Sequence, residues 1–388
     1  MKTYYKFVLL LLISTISLNS CISNDKEKKK ETTKEEKVEP VKKVEPVKKV
    51  EPPVKPVVKP KKEKVVKKEE KKEEPEPKPE KKFVDPLSSW NNASSKKAIT
   101  DFVKSVTTNG SNSYVKPEDR IATFDNDGTL WAEQPTYFQI EFILYRIKQL
   151  QPKHPEWKKD KLIQAALKHD LETLRDKFGA KGLGKLMAIA QSGMTTDEFN
   201  KITQDWIKNA KHPTTGKHYT QMIYQPMHEL IGYLQENGFT VYIVSGGGLD
   251  FMRAWTTEAY GIPQEQVLGS IPDLKYEIKD GSPVLVKLPT ILFVNDGPGK
   301  PATIHRFVGK KPILAFGNSD GDIQMLEWCS SNKHKHLSAF VHHTDAKREW
   351  AYDKESRIGT LKEGLDKAAK NRWLIIDMKK DWKEVYPQ

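Results

Sequence analysis

Five short apolar runs, separated by longer segments with helical periodicity, constrain the fold of this 388-residue chain most strongly. The runs occupy residues 120–124, 240–245, 312–317, 337–342 and 373–378. Each is rich in apolar residues, as expected for strands covered on both faces. Strands that alternate with helices in this way predict an α/β fold with a mostly parallel sheet.

The stretch between the first two runs has the apolar spacing of amphipathic helices. Apolar residues recur at i, i+3 and i+4 over 138–150, 161–178 and 197–210, and a further helix is predicted over 227–239. The first strand is therefore followed by a helical insertion, which we place at residues 133–219. The core of the fold is expected to comprise residues 84–132 and 220–388.

Polar residues stand where the predicted strands end. Asp125 and Asp127 follow the first strand, Ser245 and Gly246 end the second, and Lys300 lies at the predicted start of a helix. Asn318, Asp320 and Asp322 follow the third. Ligands of parallel α/β sheets bind at the carboxyl ends of the strands. These residues therefore predict one site for a phosphate and a divalent cation.

Two other readings of these segments fail on spacing. An EF-hand that starts at Asp125 needs glycine at its sixth position and glutamate at its twelfth, where the chain has Leu130 and Thr136. A Walker loop needs a glycine five residues before Gly299 and Ser or Thr after Lys300, where the chain has valine and proline.

In order and spacing, these segments resemble the motifs of the haloacid dehalogenase superfamily over about residues 120–345. The resemblance is to its phosphatases with a Rossmann-like core and a helical C1-type cap after the first motif. That motif, D-x-D-G-T, is matched by residues 125–129, and Ser245 and Lys300 match the second and third. The fourth motif, G-D-x-x-x-D, is met in part, because Asn318 replaces the first aspartate.

The resemblance implies roles for these residues. Asp125 would attack phosphorus and form an aspartyl-phosphate, and Asp127 would act as acid and then base. Ser245, the Gly246 amide and Lys300 would hold the phosphoryl oxygens. Mg²⁺ would be bound by Asp125, the Asp127 carbonyl, Asn318 and Asp322, with Asp320 as the alternative to Asn318. A site with asparagine at 318 has one fewer negative charge and should bind Mg²⁺ more weakly.

The implied function is hydrolysis of small phosphomonoesters, like that of phosphoserine phosphatases or nonspecific acid phosphatases. A second aspartate at 127 favours phosphoester hydrolysis because it can protonate a leaving alkoxide. Phosphocholine is one candidate substrate among other simple organic phosphates. The competing hypothesis is a surface lipoprotein that binds a ligand or partner through a degenerate fold, and Asn318 is the feature that favours it.

The N-terminus predicts export and a lipid anchor. Residues 1–20 have the basic and apolar regions of a signal peptide, and the segment that ends in Cys21 resembles a lipobox. This predicts lipidation of Cys21 and a place in the bacterial cell envelope, periplasmic or at the cell surface. The alternative is ordinary secretion with an incidental cysteine.

Residues 21–83 predict a disordered tether rich in Lys, Glu and Pro. Residues 22–83 hold 22 lysines and 15 acidic residues, so about half of the net charge of +13 belongs to this segment. A basic charge confined to a solvated stalk does not predict nucleic-acid binding. The expected partners are a small phosphorylated metabolite and the membrane.

Four further residues are interpreted less specifically. Cys329 is expected to be a buried thiol. His342 and His343 either reach the active-site edge or are structural groups near Asp345 and Arg348, which we favour. Trp131 either walls the substrate pocket or packs in the core.

Overall fold

The computed structural model describes residues 85–388. The predicted signal peptide, the Cys21 lipidation site and the tether lie outside the described residues. Within residues 85–388, no helix has the length and apolar character needed to cross a membrane.

Eight strands form one sheet. The strands are β1 (Ile121–Phe124), β2 (Thr240–Gly248), β3 (Val267–Lys279), β4 (Ser282–Phe293), β5 (Leu314–Gly317), β6 (Leu337–Thr344), β7 (Ala351–Tyr352) and β8 (Leu374–Asp377). Their order is β4-β3-β2-β1-β5-β6-β7, and β8 also pairs with β6. The pairs β1–β2, β1–β5, β2–β3, β5–β6 and β6–β8 are parallel. The prediction of an α/β fold with a mostly parallel sheet is therefore confirmed.

Helices connect the strands and cover the sheet. They are α1 (Ser94–Thr107), α2 (Phe138–Leu150), α3 (Lys161–Leu167), α4 (Leu171–Thr173), α5 (Gly179–Gln191), α6 (Thr196–Asn209), α7 (Gln225–Glu236), α8 (Leu249–Arg253), α9 (Thr256–Tyr260), α10 (Gly299–Phe307), α11 (Ile323–Ser330), α12 (Glu363–Asn371) and α13 (Met378–Asp381). Helices α2 to α6 lie between β1 and α7, within the predicted insertion. Helix α6 starts with a capping box, in which Thr195 and Glu198 each accept the other's backbone N–H.

The central strands β1 and β5 are short and are buried from end to end. All four residues of β1 and all four of β5 are buried, so neither strand shows the alternation of a half-exposed sheet. Phe124 and Phe316 stack at the β1–β5 pair with ring centroids 5.3 Å apart. Each of the five predicted strands coincides with an observed one.

The hairpin formed by β3 and β4 was not predicted from the sequence. These strands are antiparallel, and β3 alternates exposed Leu274, Tyr276 and Ile278 with charged residues. That period of two was a readable signal. The far part of the hairpin contacts the helical insertion, where the Lys287 amide donates to the Met194 carbonyl at 2.8 Å.

The predicted helix over 161–178 was wrong in its length. Helix α3 ends at Leu167, and His169 adopts a positive φ of 55°. Asp170 then accepts a hydrogen bond from the Thr173 amide at 3.0 Å and starts a new turn. An aspartate that caps a new helix disfavours continuation of the helix before it. The apolar spacing does not contain this signal, so the helix predicted from it was too long.

Candidate active site

The neighbouring strands β2, β1 and β5 end at one edge of the sheet and carry most of the predicted residues. The loop after β1 begins with Asp125, whose amide donates to the Phe316 carbonyl at 2.9 Å. The Asn126 carbonyl then accepts the Leu130 amide at 2.8 Å and closes a tight turn. Gly128 has φ +72° within it, and a Cβ there would lie 2.1 Å from Nδ2 of Asn318. Only glycine fits this position.

Lys300 joins two of the predicted carboxylates. Its Nζ donates to Oδ1 of Asp125 at 2.7 Å and to Oδ1 of Asp322 at 2.5 Å, and the lysine is buried. Burial lowers the pKa of Lys300, but the two carboxylates outweigh it and raise that pKa above its ordinary value. Burial and the neighbouring Asp322 raise the pKa of Asp125 well above its usual range, and Lys300 only partly opposes them.

Asp127 has a different environment. Its Oδ1 accepts a hydrogen bond from Nε1 of Trp131 at 2.8 Å. Burial raises the pKa of Asp127 to about 6, although Trp131, Lys300 and Ser245 stabilise the charged form. A carboxyl with a pKa near 6 can both donate and accept a proton close to neutral pH.

The end of β2, residues 245–248, lies beside these carboxylates. Ser245 is buried and its Oγ accepts from the Gly247 amide at 3.0 Å. The Gly248 amide donates to Oε1 of Gln139 on α2 at 2.8 Å. A Cβ at Gly248 would lie 2.7 Å from Nε2 of Gln139, so a larger residue here would displace the end of the Gln139 side chain.

The fourth predicted segment is tied into the same site. Oδ2 of Asp322 accepts from the amides of Asn318 and Ser319, each at 3.0 Å. Oδ1 of Asn318 accepts from the Thr129 hydroxyl at 3.1 Å. Asp320 instead accepts from the first amides of α12, including that of Gly364 at 2.8 Å. The carboxylate of Asp320 therefore caps a helix, whereas the side chain of Asn318 contacts Thr129 and that of Asp322 contacts Lys300.

Sequence reasoning missed one buried acid in the site. Oε1 of Glu133 accepts from Nδ2 of Asn318 at 2.8 Å and from the Tyr352 hydroxyl at 2.7 Å. Burial and the carboxylates of Asp127 and Asp125 raise the pKa of Glu133 well above its usual range, and Tyr352 only partly offsets them. A lone charge in the otherwise apolar run after Thr129 was the available signal.

His342, His343 and Trp131 all form contacts within the protein. Nε2 of His343 contacts the Gly128 carbonyl at 2.8 Å and Nδ1 contacts Glu349 at 3.2 Å, and His342 pairs with Asp353 at 3.3 Å. His343 therefore supports the loop that carries Asp125, in line with the structural role that we favoured, and within residues 85–388 neither histidine forms a hydrogen bond with Asp345 or Arg348. Trp131 is fully buried and stacks on Trp255 with centroids 4.2 Å apart. It packs in the core and also orients Asp127.

Cys329 is a free, buried thiol, as predicted. Burial raises its pKa to about 12, so the thiol is neutral and unreactive at physiological pH.

A cavity of about 410 Å³ opens above the catalytic candidates. The sheet edge contributes its floor, and the insertion and later loops contribute its walls. The wall residues are Tyr137, Gln139, Ile140, Met187, Val294, Asp296, Arg357, Ile358, Gly359 and Thr360. This volume suits a small molecule rather than a polymer.

The donor set fits a hard divalent cation. Asp125, Asp127, Glu133, Asp296 and Asp320 line the cavity and outnumber its cationic residues, Lys300 and Arg357. Among the described residues, no hydrogen bond reaches Oδ2 of Asp125, which leaves that oxygen free to ligate.

The ligands cannot all be acidic side chains. Within residues 85–388, no three His, Cys, Asp or Glu side chains form a ready metal cluster. A cation here would therefore also need neutral oxygens, such as the Asp127 carbonyl and the Asn318 amide.

Comparison with known proteins identifies a family for this site. The model of the haloacid dehalogenase-like hydrolases matches residues 122–327, which is more than half of the chain and includes both the β1 loop and Asp322. None of the curated proteins matches the sequence.

Similar solved structures have low identity. A functionally unknown protein from Anaerococcus prevotii is 18% identical, over 68% of this chain and 89% of its own, with a TM-score of 0.47. A phosphoserine phosphohydrolase-like protein from Francisella tularensis is 17% identical, over 65% and 98%, with a TM-score of 0.35. Cytosolic 5'-nucleotidase IIIB bound to cytidine is also 17% identical, over 64% and 79%, with a TM-score of 0.35. Likenesses this distant carry no information on substrate.

Proposed function

Since this chain belongs to the haloacid dehalogenase-like hydrolases, we propose that it is a Mg²⁺-dependent phosphatase of small phosphomonoesters. The observation that carries the proposal is the environment of the two aspartates on one loop. Asp125 contacts Lys300, and Asp127 contacts Trp131 and has a pKa of about 6. One carboxylate is thus placed for attack and the other for proton transfer.

The residues divide the reaction between them. An oxygen of Asp125 attacks phosphorus, the P–O bond to the leaving alcohol breaks, and Asp127 donates a proton to the departing oxygen. Asp127 then takes a proton from the water that hydrolyses the aspartyl-phosphate and releases phosphate. Ser245, the Gly246 amide and Lys300 hold the non-bridging oxygens, because charge neutralisation dominates phosphoryl transfer.

Mg²⁺ would be held by Asp125, the Asp127 carbonyl, Asn318 and Asp322. When bound, it supplies positive charge that neutralises the phosphoryl oxygens. In the structure Oδ1 of Asp322 accepts from Lys300 and Oδ2 accepts from the backbone amide of Asn318, so Asp322 would also position these two residues.

The cavity bounds the substrate class. Gln139 and Ile140 on α2 and Met187 on α5 line the cavity together with the carboxylates, so the insertion forms part of its wall. Simple organic phosphates, of the phosphoserine or phosphocholine type, match its volume. Trp131 and Trp255 stack in the core, and none of the described residues that line the cavity is a tryptophan, so the cavity offers no indole cage for a choline-like group.

We further propose that the enzyme is anchored to the bacterial envelope through lipidated Cys21. The support is the signal and lipobox pattern of residues 1–21. Metabolic labelling with a radioactive fatty acid should mark the wild-type protein and leave Cys21→Ser unlabelled. Labelling of Cys21→Ser would contradict the anchor.

The phosphatase proposal is tested by hydrolysis of p-nitrophenyl phosphate with the full-length chain, with and without Mg²⁺. Asp125→Asn should reduce turnover by at least about 10³-fold, because it removes the nucleophile and keeps the shape of the side chain. The matched control is Asp101→Asn, at an exposed position of α1, which should be fully active.

Two outcomes would contradict the proposal. Turnover in Asp125→Asn equal to wild type would assign any phosphatase activity to another group. No turnover by folded wild type with several divalent cations and a panel of natural phosphates would favour the alternative, a non-catalytic binding protein.

A further inference from the structure

Glu133 occupies a position that the proposed reaction leaves unexplained. It is 1% exposed and lies in the wall of the cavity, at the end of the loop that carries Asp125 and Asp127. Oε1 accepts two hydrogen bonds, from Asn318 and from Tyr352. Among the described residues, no hydrogen bond reaches Oε2. A carboxylate this deeply buried needs a role that offsets the cost of its burial.

The backbone is built around this carboxylate at two places. A Cβ at Gly359 would lie 1.8 Å from Oε1 of Glu133, and one at Gly128 would lie 2.6 Å from the same atom. Both glycines have positive φ, +60° and +72°. Glycines in two separate loops therefore leave room for the Glu133 carboxylate. This close fit indicates that Glu133 has a specific role in the site.

Glu133 also fixes the amide of Asn318. Because Nδ2 donates to Glu133, Oδ1 must point to the opposite side, where it accepts from Thr129. A metal-binding site uses the oxygen of an asparagine and never its NH₂ group. Partners that orient a ligand in this way commonly determine the affinity of a metal site.

Glu133 also places a carboxylate next to the neutral side chain of Asn318. The side chain of Asn318 is neutral, and the carboxylate that accepts a hydrogen bond from its amide group is that of Glu133, at 2.8 Å. We propose that Glu133 is a positioning residue for the cation: it supplies the negative charge that an aspartate at 318 would carry and keeps the Asn318 oxygen available for ligation. The inference rests on the proposed Mg²⁺-dependent function.

The test is a charge exchange between the two positions, read by Mn²⁺ binding to the full-length protein without substrate. Mn²⁺ affinity is measured by electron paramagnetic resonance or calorimetry. Glu133→Gln should weaken Mn²⁺ binding by about 10- to 100-fold, the usual effect of removing a residue that orients a metal ligand. The matched control is Glu258→Gln on α9, an exposed glutamate that should leave the affinity unchanged.

The double variant makes the test specific. Asn318→Asp alone places two carboxylates in contact, where they cannot both ionise, so it should gain little affinity. Glu133→Gln combined with Asn318→Asp moves the charge from one residue to the other and should recover affinity to within about threefold of wild type. Tyr352→Phe, which removes one donor to Glu133, should weaken Mn²⁺ binding less than Glu133→Gln does. If Glu133→Gln folds poorly, Tyr352→Phe provides the test of the role of Glu133.

The outcomes separate this inference from the function on which it rests. Wild-type affinity in folded Glu133→Gln, or no recovery in the double variant, overturns the role of Glu133 while the phosphatase proposal stands. If wild type itself binds no Mn²⁺ and needs no divalent cation for turnover, the metal-dependent function fails and the inference fails with it.

Discussion

Two buried lysines, Lys300 at the active-site edge and Lys287 at the contact between hairpin and insertion, sit in contrasting environments. Lys300 is shared between two carboxylates, and their attraction exceeds the effect of burial. Lys287 has one carboxylate, that of Asp250, and its Nζ lies 4.5 Å from the centre of the Phe199 ring. Burial therefore lowers the pKa of Lys287, and Asp250 only partly offsets it.

The difference indicates what each region is built to do. The active-site edge concentrates acidic groups around one ammonium, which leaves negative charge for a cation and positive charge for a phosphate. The hairpin contact neutralises a single charge with a single partner and surrounds it with aromatic packing. An isolated buried pair of this kind contributes little net stability, because desolvation costs about as much as the pairing returns.

Lys300→Met should have the largest effect of the variants that test this comparison. It leaves Asp125 and Asp322 buried without their common partner, so we expect a loss of about 3–5 kcal/mol in the free energy of unfolding. Turnover should fall by about 10²- to 10³-fold, as for removal of one preorganised donor. Denaturant unfolding and steady-state kinetics measure the two effects.

Lys310→Met is the matched control for this variant. Lys310 forms a largely exposed pair with Asp119, so its replacement should change neither quantity measurably. Equal effects in the two variants would show that the Lys300 cluster is not special.

Trp131→Phe should have an intermediate effect, confined to the active-site edge. It keeps an aromatic ring but removes the N–H that donates to Asp127 at 2.8 Å. A hydrogen bond to a charged group contributes about 1.5–3 kcal/mol, so kcat on alkyl phosphates should fall by about 10- to 100-fold. Their leaving groups depend on proton donation, which makes them the sensitive substrates.

Trp255→Phe is the control for Trp131→Phe. The two indoles stack on each other, but among the described residues Nε1 of Trp255 has no hydrogen-bond partner. Its replacement should therefore leave kcat nearly unchanged. If both variants lost activity equally, the packing of the rings and not the hydrogen bond to Asp127 would be responsible.

Lys287→Met should have the smallest effect on activity. Turnover should stay within about threefold of wild type. The free energy of unfolding should fall by about 1–3 kcal/mol, because partly exposed Asp250 loses its partner. Lys287→Met combined with Asp250→Leu should recover most of that stability. A large loss of kcat in Lys287→Met, with the fold retained, would show that the hairpin contact takes part in catalysis.

Much of the sheet was predictable from the sequence because its strands are continuous apolar runs. Residues 121–124 and 314–317 are buried throughout, and a run of that kind has few other solutions in a chain that alternates with helices. The hairpin was missed because Pro272, Pro283 and Pro289 interrupt its runs and because its apolar side chains are exposed. Proline usually argues against a strand, and here the pairing tolerates it through irregular register.

By itself, the sequence determined the α/β class, the order of the motif residues and their placement at strand ends. These three features follow from the local sequence pattern. A buried strand ends where a charged turn begins, and the carboxyl ends of parallel strands lie at the same edge of the sheet. Only the tertiary structure decided which groups meet. Lys300 contacts two aspartates, Trp131 orients Asp127, and Glu133 contacts Asn318. Contacts between residues far apart in the chain depend on how separate loops pack against one another, and no local spacing encodes that.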